Sequence, residues 1–140
     1  GEKENFYLFN ASLTFFKLTR SKLNLDVSTD DPLVKEFYGN FERGFILSDK
    51  TFNGQNKKMI LKLQSYSFQY PPDPDEYLDT VELKVKSITK DYYNFLLSQI
   101  QYNQSQDNPF AEPVNIYSNI KNGYGLFSAE KSQFKTIKIK

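Results

Sequence analysis

The chain of 140 residues contains no histidine, no cysteine and no tryptophan, and only one methionine. Without histidine or cysteine there can be no Ser-His-Asp or Cys-His nucleophile, no thiolate redox centre and no ordinary zinc site. What remains for proton transfer is carboxylates, lysines and tyrosines. Zero cysteine leaves the redox compartment open, because a domain of this length does not depend on disulfides. No apolar run approaches the roughly 20 residues of a membrane-spanning helix, and no signal peptide is read. Neither sign of charge dominates: 18 basic residues stand against 17 acidic ones, interspersed along the chain. That balance gives no counterion-release basis for nucleic-acid binding.

Phenylalanine and tyrosine are abundant, with 13 and 10 copies. In the absence of tryptophan they must supply both the core and any aromatic binding surface. The length suits one domain, expected to span 1–140, and a chain of this size buries roughly two thirds of its unfolded surface.

Hydrophobic periodicity orders the chain. Residues 8–18 form an aromatic, β-favouring run with phenylalanine on both faces and read as a long first strand. Residues 21–40 are polar and irregular, broken at Asp31-Pro32, with room for one short helix or strand. Residues 43–48 and 58–64 read as two strands. Asn53-Gly54 lies in the loop between them, a pair that tolerates the positive φ angles of a hairpin. Pro71, Pro72 and Pro74 bar 66–77 from a central strand. Val81, Leu83 and Val85 then alternate with Thr80, Glu82, Lys84 and Lys86, the pattern of a half-exposed antiparallel strand.

At Thr89 the period changes from two to 3.6. Tyr92, Tyr93, Leu96, Leu97 and Ile100 make an apolar stripe over a helix expected at 90–103, with Thr89 as N-cap and Asp91 in the first turn. Residues 124–129 and 134–139 read as the last two strands. The expected fold is mainly β: an antiparallel sandwich or partly closed barrel of about six strands, with one helix before the last two.

Three groups of residues are candidates for chemistry. The first is Asn108, Pro109, Phe110, Ala111, Glu112 and Pro113, followed by Asn119, Asn122, Gly123 and Gly125. Prolines fix φ and remove donors, so this stretch reads as a rigid structural crossing anchored by a buried Phe110. Glu112 and Asn115 offer a polar pair if it is instead a site. The second group, Asp73, Asp75, Glu76 and Asp79, has oxygens enough for calcium but neither the spacing nor the central glycine of an EF-hand, so no metal is assigned. The third is a set of aromatics in or near loops, Tyr66, Phe68, Tyr70, Tyr77, Tyr102, Tyr117 and Tyr124, where rings can stack on a ligand or anchor a partner. A glycoside hydrolase would need two carboxyls about 5–9 Å apart across a cleft, which the sequence does not place.

The order of these segments resembles one known family. Ser87, Ile88, Thr89, Lys90, Asp91, Tyr92 and Tyr93 open the helix. Asn108 to Pro113, then Ser118, Asn119 and Ile120, then Asn122, Gly123, Gly125 and Phe127 form the connection that precedes a last basic-apolar strand. This arrangement, with the opening ENFYLFNASL, is similar to the C-terminal half of the Bacteroidota envelope lipoproteins known as domain of unknown function 4249. The resemblance is specific from residue 79 onward and weak over 21–40. It implies an excised or shortened C-terminal domain, lipid-anchored in its full-length form, at the outer membrane beside a TonB-dependent transporter. The family has no assigned activity, so the expectation is a non-enzymatic accessory module, without cofactor, that binds a partner protein or a nutrient ligand. A small-ligand barrel with an aromatic-lined cavity is the alternative.

Overall fold

The structure is a computed structural model in which residues 3–16, 20–38, 43–64 and 77–138 are described. Seven strands and one helix follow in the order β1 (Phe6–Phe16), β2 (Arg20–Ser28), β3 (Val34–Tyr38), β4 (Arg43–Ser48), β5 (Lys62–Gln64), β6 (Tyr77–Ile88), α1 (Lys90–Gln106) and β7 (Glu130–Lys138). Every ladder is antiparallel. Among the described residues the sheet ends at β3 and β5 on one side of β1 and at β7 on the other and does not close, so the fold is mainly β with a single helix before the last strand.

β1 is the axis of the sheet. One of its edges pairs with β6 along the whole strand, from Phe6↔Ile88 to Phe16↔Tyr77. Its other edge is shared: β4 takes Phe6 to Phe9, and β2 takes Ala11 to Phe16. At the change of partner sits Gly44, fully enclosed. A Cβ there would overlap the Phe9 carbonyl oxygen and lie 3.0 Å from its carbon. Only glycine lets β4 cross this close to β1 before giving way to β2. Beyond Leu25, β2 leaves β1 and pairs with β5 instead.

Alternation along β1 sorts the core into two layers. Phe6 and Leu8 join Ile46, Phe37 and Ile88 on one face, where Leu96 and the half-buried Tyr92, Tyr93, Phe95, Leu97 and Ile100 of α1 cover them. Phe9 and Ala11 join Phe45, Leu25, Val27 and Val81 on the other, covered by Met59 and Leu61. The Phe9 and Phe45 rings stack 4.8 Å apart. A fully buried side chain such as Leu8 or Ile46 contributes about 1.5–3 kcal/mol. The N-terminal end is pinned by Asn5, whose backbone N–H and side-chain amide donate to the two carboxylate oxygens of buried Asp49 at 2.7 and 2.8 Å.

Several expectations change. Residues 21–40 hold two strands, because β2 and β3 draw their partners from β1 and β4 rather than from local pattern. The strands on either side of Asn53-Gly54 do not form a hairpin. Gly54 takes φ 76 in a turn, but β4 pairs with β1 and β3 while the short β5 pairs with β2. The helix runs three residues beyond 103, with Thr89 as its N-cap, accepting from the Tyr92 N–H. One strand, not two, is described after it: 124–129 is irregular and β7 begins at Glu130. Lys86 was expected to face solvent, yet its side chain is only 8% exposed and pairs with Glu130 at 3.2 Å. It lies opposite Leu8, on the helix-side face. Residues 65–76, including the proline-rich stretch, are outside the described residues.

Candidate functional site

The connection from α1 to β7 begins with a turn that its own sequence dictates. Asn108 accepts the Phe110 N–H on its side-chain oxygen (3.0 Å) and the Ala111 N–H on its carbonyl (3.0 Å). Pro109 occupies the second position, where its fixed φ suits a tight turn and no donor is needed. The turn ends the helix, but it does so with Phe110 at its tip, 94% exposed. The expectation of a buried anchor is therefore corrected: nothing of the core reaches the tip of this turn. Pro113 and Glu112 are exposed too, and Glu112 makes no ion pair or side-chain hydrogen bond among the described residues.

From there the chain is laced back along α1 by polar bonds. The Tyr117 N–H donates to Ser98 Oγ (2.8 Å), and that buried hydroxyl donates to the Phe95 carbonyl (2.7 Å). The Tyr117 hydroxyl donates to Asp91 Oδ1 (2.6 Å), and the Asn119 amide to Asp91 Oδ2 (3.1 Å). The two bonds hold the Asp91 carboxyl below its ordinary pKa, Tyr117 contributing more than Asn119, and Asp91 in turn pushes the Tyr117 phenol upward.

Asn119 is the hub of the following loop. Its amide also donates to the Phe127 carbonyl (2.7 Å), and its side-chain oxygen accepts the Phe127 N–H (2.8 Å). Ser118 Oγ accepts from the backbone of Ile120 and Gly125. Asn122 at φ 57 and Gly125 at φ 141 take left-handed conformations that asparagine and glycine tolerate. Gly123 follows Asn122, and its carbonyl accepts the Ser118 hydroxyl at 3.4 Å.

The result is a rigidly tied loop that leaves large rings bare. Tyr124 is 99% exposed and Phe127 82% exposed, with Ile116 and Ile120 partly exposed nearby in sequence. Such rings, held by a scaffold bonded through polar groups, can bury apolar area against a partner with little ordering of the loop itself.

Among the sequence-predicted aromatics, Tyr117 turns out to be a tether, half-buried against α1, and Tyr124 an open ring. Tyr102 is exposed on the helix. Tyr66, Phe68 and Tyr70 lie outside the described residues, as does the side chain of Tyr77. The same holds for Asp73, Asp75 and Glu76 and for the Asp79 side chain. Sequence reading missed Phe127 as an exposed ring and Ser98 as an acceptor, and it read Asp91 for its place at the helix dipole rather than as the loop's mooring. The available signal was Tyr-Ser-Asn at 117–119, polar groups clustered without the alternation of a strand.

No curated protein and no solved structure matches the chain. A family model described as "Domain of unknown function (DUF4249)" matches residues 1–136. With nearly the whole length matched, from the opening strand through α1 and its laced connection into β7, the chain belongs to that family.

Proposed function

We propose that this domain is a non-enzymatic accessory module of the cell envelope that works beside an outer-membrane TonB-dependent transporter. In this reading it binds a partner protein through the rings of the connection between α1 and β7, and its full-length form is lipid-anchored. The observation that carries the reading is the exposure of Phe110, Tyr124 and Phe127 on a connection fixed by Asp91, Ser98 and Asn119. Rings of this kind are the side chains from which interface anchors are drawn. The absence of histidine and cysteine supports a binding role over a catalytic one. Envelope address and transporter neighbourhood come from the family resemblance. A ligand-holding barrel is less favoured because, among the described residues, no ladder joins β3 or β5 to β7.

The test places a photo-crosslinking residue at Tyr124, and separately at exposed Lys35 on β3, in cells that carry the transporter. A crosslink to the transporter from position 124 and none from position 35 is expected. Equal crosslinking from both, or none from 124, would overturn the assignment of this surface. A companion triple variant, Phe110→Ala, Tyr124→Ala and Phe127→Ala, should keep its unfolding midpoint while losing the transporter in co-purification.

A further inference from the structure

β7 is the last strand of the sheet among the described residues, and no described strand uses its outer side. Its nine residues pair with β6 from Ile88↔Glu130 to Thr80↔Lys138, and no other strand pairs with it among the described residues. An edge of this length offers a row of N–H and C=O groups that another extended chain can pair with in register.

The side chains along that edge say which kind of chain. Glu130 is engaged by Lys86, leaving β7 the charge of Lys131, Lys135 and Lys138, none of which makes an ion pair among the described residues. Two apolar groups stand between them half-uncovered, Phe134 at 59% and Ile137 at 46% exposure. By register, Lys131, Lys135 and Ile137 lie on one face, and Phe134 and Lys138 on the other.

We propose that the outer edge of β7 receives an acidic, extended segment of another polypeptide, added antiparallel as a further strand. Strand addition to a sheet edge takes its affinity from main-chain bonds and its selectivity from side chains at alternate positions. Here selectivity comes from charge. Carboxylates opposite the three lysines form favourable cross-strand pairs, and apolar residues opposite Phe134 and Ile137 cover what is now open. The same lysines work against a second copy of this chain, since two β7 edges would bring six of them together and like charges across a ladder repel. The antiparallel sense follows the rest of the sheet, whose ladders all run that way. Strand addition at β7 does not rest on the aromatic connection and stands whether or not the rings of that connection bind anything.

The probe is an end-blocked nonapeptide, Glu-Val-Thr-Glu-Phe-Thr-Thr-Glu-Thr, which in antiparallel register sets glutamate opposite Lys138, Lys135 and Lys131, valine opposite Ile137 and phenylalanine opposite Phe134. Two controls accompany it: one with lysine for every glutamate, the other N-methylated at alternate residues so that it cannot extend a ladder. Binding is followed by nuclear magnetic resonance of the whole domain, reading shifts and hydrogen-exchange protection at residues 130–138. The acidic peptide should protect alternate β7 amides, and its affinity should fall as salt rises. The double variant Lys131→Glu, Lys135→Glu should bind about tenfold more weakly at an unchanged unfolding midpoint, two cross-strand attractions having become repulsions. Equal binding of the N-methylated peptide would show charge attraction without strand addition and overturn the proposal. So would equal binding of the lysine peptide, absence of any shift at millimolar peptide, or protection of β7 by self-association of the domain alone.

Discussion

Replacing Gly44 by alanine sets two physical effects against each other, and their sizes decide the outcome. Gly44 does not need a positive φ, so alanine costs nothing in backbone conformation and reduces the entropy of the unfolded chain. That effect alone would stabilise by about 0.4–1 kcal/mol. Against it stands the Phe9 carbonyl oxygen, which the new methyl would overlap, with the Phe9 carbon 3.0 Å and Asn10 Cβ 3.3 Å away. Overpacking in a core costs about 1–3 kcal/mol even where side chains can yield. The obstacle here is backbone held in the ladders between β1, β4 and β6, so the cost belongs at the top of that range. The net expectation is a loss of about 2 kcal/mol. With a urea dependence of about 1–3 kcal/mol per molar, the midpoint should drop by about 1 M. Tyrosine fluorescence and far-ultraviolet circular dichroism can both follow the transition in a chain without tryptophan. Gly54 is the control, because it takes φ 76 with nothing within 4 Å of its Cβ position. Gly54→Asn should be nearly silent, since asparagine accepts the left-handed region, whereas Gly44→Asn should be worse than Gly44→Ala. An unchanged or raised midpoint for Gly44→Ala would refute the close crossing of β4 over β1.

Leu96 is the α1 side chain buried against the sheet, and Leu96→Ala should lower stability by about 2–5 kcal/mol in equilibrium unfolding, with half-buried Leu97 costing less. Phe110→Ala, by contrast, should stay within about 0.5 kcal/mol of the parent, because its ring is bare. On the acid side, the lowered pKa of Asp91 contributes stability that is complete above the unfolded carboxylate value and lost as pH falls through the folded one, so Asp91→Asn should flatten the acid limb of midpoint against pH. On the alkaline side, the raised pKa of Tyr117 contributes stability that is complete below the ordinary tyrosine value and lost as pH rises through the folded one, so Tyr117→Phe should flatten the other limb.

What could be read from the sequence was whatever local chemistry decides. The helix announced itself through Thr89, Asp91 and the Tyr93–Leu96–Leu97–Ile100 stripe, and β6 through its alternation. β2 and β3 were hidden because their pairing is settled by distant strands, which no local window contains. Lys86 misled for a related reason: a lysine in an alternating strand normally faces water, but here Glu130, brought across by β7, lets it lie inside. Phe110 misled in the opposite direction. Proline on both sides suggested a rigid crossing over the core, whereas the Asn108 turn carries the ring outward and polar bonds to Asp91 and Ser98 hold the connection instead.

The whole-length ladder between β1 and β6 also has a meaning in time. β1 is made before its long partner, and the strand that occupies its entire second edge ends at Ile88, some seventy residues later. At ribosomal rates of about 5–20 residues per second, that edge waits roughly 4–15 s for its partner. Throughout that interval the aromatic strand on which both core layers depend presents an open side. Mutations that prolong the delay, or that make β1 stickier, would then reduce yield through aggregation of the nascent chain without altering the stability of the finished sheet.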